Sequence, residues 1–88
     1  MISKEYLVTS ADGIHARPAT KLVKLAREYR SNISLNKGDR LVALTSMLNI
    51  LTAGVKKGDT ITIIVEGDDE AEAFGAIDQL LTEELKNH

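Results

Sequence analysis

The spacing of apolar residues along this chain predicts an α/β fold: an open-faced two-layer sandwich with the element order β-α-β-β-α-β-α. Three observations predict it. Short period-two runs recur along the chain. Two longer runs carry apolar residues at helical spacing. Between them lie clusters of Gly, Asn and Asp, with no repeats, linkers or low-complexity segments.

Residues 2–9 alternate Ile2, Lys4, Tyr6 and Val8 with Ser3, Glu5, Leu7 and Thr9, the pattern of a half-buried strand. Ser10-Ala11-Asp12-Gly13 punctuates it. From Ala16 to about Tyr29 the apolar positions Ala19, Leu22, Val23, Ala26 and Tyr29 make one helical stripe, with Lys21, Lys24, Arg27, Glu28 and Arg30 on the other side. Ile33 and Leu35 mark a second strand, Asn36 to Asp39 a turn, and Leu41 to Leu44 a third strand, which together read as a hairpin. Thr45 or Ser46 caps a short helix from Met47 to Ala53, stopped by Gly54. Lys56-Lys57-Gly58-Asp59 turns into the strongest strand, Thr60 to Glu66. Gly67-Asp68-Asp69-Glu70 then opens a last helix with Phe74, Ile77, Leu80, Leu81 and Leu85 on its apolar side and Lys86 near its end. A right-handed crossover joins the first two strands, so they either run side by side in parallel or flank an intervening antiparallel strand.

Composition bounds the function. Residues 1–88 read as one domain, at the small end for a self-sufficient core. A net charge of −2 and only three aromatic residues, Tyr6, Tyr29 and Phe74, argue against nucleic-acid binding. With no cysteine and a single internal histidine, neither a disulfide nor a metal site is expected, and no cofactor. Lys4, Glu5, Asp12 and Arg17 leave no room for the apolar core of a signal peptide, and no apolar run suits a membrane span. The expectation is a cytoplasmic, monomeric protein that does not insert into membranes.

Chemistry concentrates in Gly13-Ile14-His15-Ala16-Arg17-Pro18-Ala19-Thr20, which holds the internal histidine and the one proline. A helix start presents unpaired N–H groups and the positive end of the macrodipole, which suit an anion. Pro18 fits the first turn, where its fixed φ suits the helix and its missing N–H costs nothing. Arg17 adds a planar fork of donors matched to phosphate oxygens. His15 is the group here able to act as a nucleophile near neutral pH, and the surrounding positive charge keeps its imidazole neutral. A histidine near a helix start also serves elsewhere as a cap or a packed side chain. Here Gly13 permits a sharp turn before it and Ala16 keeps space beside it clear. That context favours the sharper of the two readings, in which His15 accepts and passes on a phosphoryl group with Arg17 holding its charge, over the capping or packing one.

The octapeptide resembles the active-site segment of the histidine-containing phosphocarrier (HPr) family of the bacterial sugar phosphotransferase system. The resemblance extends over the chain through its length, the histidine at 15, Ser46, and Gly54-Val55-Lys56-Lys57-Gly58 before the last strand. It implies a four-stranded antiparallel sheet of order 1-4-2-3 with helices on one face. It also implies that enzyme I, charged by phosphoenolpyruvate, phosphorylates His15 on Nδ1, and that sugar-specific IIA domains then receive the group. Arg17 would contact the phosphoryl group, Ala16 and Arg17 would offer their amides, and Pro18 would support the turn. Such a carrier is not itself an enzyme.

Docking requires a surface. Thr20, Lys24 and Arg27 lie on the first helix, where the two cations either meet acidic partners or simply solvate it. Met47, Leu48, Ile50 and Leu51 wrap nearly all round the short helix, so some must be exposed, and an exposed apolar patch beside a site points to binding. The resemblance assigns Met47, Leu48 and Leu51 to the partner interface and Ile50 to the core. Ser46 reads as a helix cap, and it also matches the regulatory serine that an HPr kinase/phosphorylase modifies in relatives, where the product binds a catabolite-control transcription factor. Thr45 and Asn49 depart from the lysine and glycine common in those relatives, which makes kinase control secondary. The alternative is a regulatory paralogue, of the nitrogen branch or a corepressor acting through Ser46. A small RNA-binding domain shares the element order but lacks stacking aromatics on the central strands.

Overall fold

A computed structural model describes residues 1–9, 14 and 16–86, apart from the side chains of Ala16, Arg17, Leu85 and Lys86. Its elements are β1 (Ile2–Leu7), α1 (Ala16–Ala26), β2 (Asn32–Lys37), β3 (Arg40–Ala43), α2 (Met47–Ala53), β4 (Thr60–Glu66) and α3 (Glu70–Lys86). The strands form one sheet of order β1-β4-β2-β3, and every neighbouring pair is antiparallel. The second of the two crossover arrangements is therefore the real one: β1 and β2 flank β4.

Alternation along β4 explains the layers. Ile61, Ile63 and Val65 are fully buried, opposite Tyr6, Lys4 and Ile2 of β1, while Ile63 and Val65 also face Leu35 and Ile33 of β2. This is the face the helices cover. Ala19, Leu22, Val23 and Ala26 of α1, Ile50 and Ala53 of α2, and Ala73, Ile77 and Leu81 of α3 complete the core. The other face alternates to Ser3, Glu5, Thr62, Ser34 and Asn36, with Leu7, Leu41 and Ile64 interspersed, and none of the described helices packs on it.

Three boundaries differ from the sequence reading. The first strand ends at Leu7, although Val8 still packs in the core. The third strand runs from Arg40 to Ala43, because Lys37 pairs with Arg40 and shortens the turn to two residues. The first helix stops at Ala26 instead of about Tyr29. Its ladder tightens, with the Glu28 amide bonding the Leu25 carbonyl at 3.0 Å. Beyond that, the Asp69 carboxylate accepts from the backbone amides of Arg30 at 2.8 Å and Ser31 at 2.9 Å, and from the Ser31 hydroxyl. Those amides are thereby taken from any continuing helix. The Ser31 hydroxyl first, then the Arg30 amide, hold the Asp69 carboxyl below its ordinary range.

The same corner explains Gly67. Its φ is +155°, and a Cβ there would lie 2.7 Å from both the Cα and the Oγ of Ser31. Tyr6 ties β1 to α3 by donating to Asp78 at 2.6 Å, with Lys4 donating to the same carboxylate at 3.0 Å. Among the described residues, no helix is long and apolar enough to cross a membrane.

Candidate functional site

His15 lies outside the described residues, as does the Arg17 side chain, so the site is built from its surroundings. α1 begins at Ala16, immediately after His15, and Pro18 is buried in its first turn. Ile14 is buried, and its amide donates to the Val55 carbonyl at 3.2 Å. Val8, which leads into the segment, donates to the Asp59 carbonyl at 2.8 Å and accepts from the Gly58 amide at 2.7 Å. The chain entering residues 10–13 and the chain leaving them are thus both moored to the connection between α2 and β4.

One helical turn into α1, a groove of about 420 Å³ opens between α1 and α2, lined by Thr20, Val23, Lys24, Arg27 and Met47. Thr20 donates to the Met47 sulfur at 3.5 Å across it. Arg27 donates from Nε at 3.2 Å and from Nη2 at 2.9 Å to the Thr45 carbonyl, just ahead of α2. This is a role the sequence did not reveal, since neither solvation nor docking requires it. The guanidinium pins the start of α2 to the end of α1 and still borders the groove.

α2 separates its apolar residues cleanly. Ile50 is fully buried and Ala53 nearly so, whereas Leu48 is 70% and Leu51 40% exposed on the outward face, next to Met47. Ser46, not Thr45, is the cap: its backbone is extended and its Oγ accepts from the Asn49 amide at 3.3 Å. Gly54 ends the helix in the left-handed region with φ 65°, its amide bonding the Leu51 carbonyl at 3.3 Å. Lys24, Arg27 and Met47 thereby line one groove, cationic along α1, while Leu48 and Leu51 are exposed on α2. Such a surface fits a protein partner with an apolar patch and an acidic rim. Among the described residues, no group of three or more His, Cys, Asp or Glu side chains could hold a metal ion.

The sequence model described as the PTS HPr component phosphorylation site matches residues 2–83. The chain belongs to the HPr family of phosphocarrier proteins. Solved structures agree. The histidine-containing phosphocarrier protein of Mycoplasma is 31% identical with a TM-score of 0.93, covering 98% of this chain and 100% of that one. HPr from Thermoanaerobacter tengcongensis is 31% identical with a TM-score of 0.90, covering 100% of this chain and 99% of that one. Crh, the catabolite repression protein of Bacillus subtilis, crystallised as a swapped dimer, is 29% identical with a TM-score of 0.75, covering 99% of this chain and 100% of that one. HPr proteins are carriers of a phosphoryl group and not enzymes, and the partners the family implies are enzyme I and IIA proteins of the phosphotransferase system.

Proposed function

We propose that this HPr accepts a phosphoryl group on Nδ1 of His15 from phosphorylated enzyme I and donates it to sugar-specific IIA domains. The observation that carries the reading is the groove between α1 and α2, which opens one turn from the residue that follows His15. A carrier must present its nucleophile at the edge of a surface that two different proteins can grip, and this groove adjoins that position. Positioning and electrostatics supply the catalysis, since phosphoryl transfer asks little covalent chemistry of the protein. Arg17 offsets the charge of the arriving group, and the amides of Ala16 and Arg17, at the start of α1, face it together with the helix dipole. Thr20, Lys24, Arg27, Met47, Leu48 and Leu51 form the docking surface.

Incubation with enzyme I and phosphoenolpyruvate tests this. The wild type gains one acid-labile phosphoryl group and His15→Ala gains none; labelling of the variant refutes the mechanism. Replacing Arg17 slows transfer with the fold intact.

A second reading, a regulator of the Crh kind acting through Ser46, is supported by the match to Crh over nearly the whole of both chains. The presence of His15 favours the carrier, because a regulator working only through Ser46 has no need of it. Incubation with an HPr kinase and ATP tests the Ser46 half, where a regulator gains an acid-stable phosphoryl group, and failure of phosphorylated enzyme I to label His15 separates a regulator from a carrier.

A further inference from the structure

Lys37 was read from the sequence as part of a turn, yet its ammonium is half-buried and fully committed. It donates to the Gly54 carbonyl at 2.7 Å and the Ala53 carbonyl at 3.3 Å, and it pairs with the Asp59 carboxylate at 3.1 Å. Those two carbonyls close α2, where a cation is favoured by the helix dipole and by charge-assisted bonds. Asp59 meanwhile accepts from the Lys56 amide at 2.8 Å. The Lys56 amide first, and then Lys37, hold the Asp59 carboxyl below its ordinary range. One ammonium therefore joins the two ends of residues 53–59 and draws them into a closed loop.

That loop is also the mooring of the phosphoryl segment. Val55 accepts from the amide of Ile14, the chain neighbour of His15, and Gly58 and Asp59 bond Val8 on the other side. We propose that Lys37 is a positioning residue for phosphoryl transfer: by closing residues 53–59 it fixes the Val55 carbonyl that anchors Ile14, and through Ile14 the register of His15. Lys37 lies at the end of β2 and contributes nothing to the lining of the α1–α2 groove. The effect on transfer therefore belongs to the chemical step and not to docking. The inference rests on the carrier reading for its rate consequence, but its structural half is independent of any partner.

Amide hydrogen exchange tests that half without enzyme I. In Lys37→Met, protection of the Ile14 amide falls about tenfold, the size expected for losing a charge-assisted anchor, while Ile63 in the central strand keeps its protection. Lys37→Arg, which retains a cation with several donors, restores Ile14 to within about twofold of wild type. Should Lys37→Met not fold, Asp59→Asn removes the other half of the clamp and is expected to loosen Ile14 in the same selective way. With phosphorylated enzyme I, Lys37→Met lowers kcat several-fold and leaves KM for the carrier unchanged. Ile14 protection that stays within twofold of wild type, or that falls only in step with Ile63, overturns the proposal. So does a change confined to KM. A wild-type protein inert to enzyme I and phosphoenolpyruvate would instead refute the carrier reading, and the exchange data would still decide the clamp.

Discussion

Truncating two neighbours on α2, Leu48 and Ile50, separates folding from docking in one short helix. Ile50 is fully buried, so Ile50→Ala removes three buried carbons and leaves a cavity, at a cost of about 2–5 kcal/mol. In a chain of this size each kcal/mol is worth roughly 4–8 °C in Tm, so melting followed by circular dichroism should fall by at least about 8 °C. Leu48 is 70% exposed, and Leu48→Ala should leave Tm within a few degrees. Its value appears only when a partner covers it. Fully burying a leucine contributes about 1.5–3 kcal/mol; the still-exposed 70% is then worth about 1–2 kcal/mol at the interface. KM for the carrier in transfer from phosphorylated enzyme I should accordingly rise about 6- to 35-fold. The reasoning fails if Leu48→Ala melts as early as Ile50→Ala, which would make the exposed leucine structural. It fails equally if Leu48→Ala leaves KM where it was, because the outward face of α2 would then meet no donor.

Gly67→Ala should destabilise by at least about 2 kcal/mol, from an unfavourable backbone region and overlap with Ser31. Ser31→Gly should restore only part of that loss, since the Cα of residue 31 remains 2.7 Å from the added carbon; thermal melts of the single and double variants check both. Asp69 and Asp78 titrate below their ordinary 3.8 in the folded chain, held there first by the Ser31 and Tyr6 hydroxyls respectively. The stability they add is present above pH 3.8 and is lost as pH falls through their folded values, so Asp69→Asn should flatten the acid limb of a Tm–pH curve while lowering its plateau. Ser46→Ala should cost about 1 kcal/mol by freeing the Asn49 amide. Ser46→Asp, which keeps a capping oxygen, should retain stability and raise KM for enzyme I by placing a negative charge beside the groove, a split that melting and transfer assays read separately.

The central strand was legible because it alternates over enough residues to declare its buried face: Ile61, Ile63 and Val65 lie against Thr60, Thr62 and Ile64, whereas the four residues of β3, Arg40-Leu41-Val42-Ala43, do not alternate. The end of α1 was not legible, since it is decided by Asp69, which is remote in sequence and captures the amides of Arg30 and Ser31. The faces of α2 were hidden for a different reason. Seven residues with apolar side chains nearly all round give no moment to read; the resemblance put Ile50 in the core, and the burial of Ile50 and Ala53 agrees. At the site, Thr20, Lys24, Arg27 and Met47 could be named from two separate segments, and the fold brings them to one groove. Arg27 and Lys37 kept their structural work concealed because both bond backbone carbonyls, which leave no signature in side-chain chemistry.

Those two cations bear on how α2 would serve as the proposed docking element. A helix of seven residues is too short to persist on its own, because nucleation costs more than so few hydrogen bonds return. It is instead held from every side: Ser46 and Gly54 at its ends, Arg27 on the carbonyl before it, Lys37 on the carbonyls that close it, and Ile50 beneath. Each of these ties points inward or along the axis, and none uses the side chain of Leu48 or Leu51. The outward leucines are thus held in place without being consumed by the fold. A partner meeting such a surface does not have to order it, so the conformational cost of association is small for the donor and for the acceptor alike. For a carrier that must bind one protein, release it and bind another, a stiff patch of modest area is better suited than a larger one that folds on contact, because neither encounter is slowed by ordering.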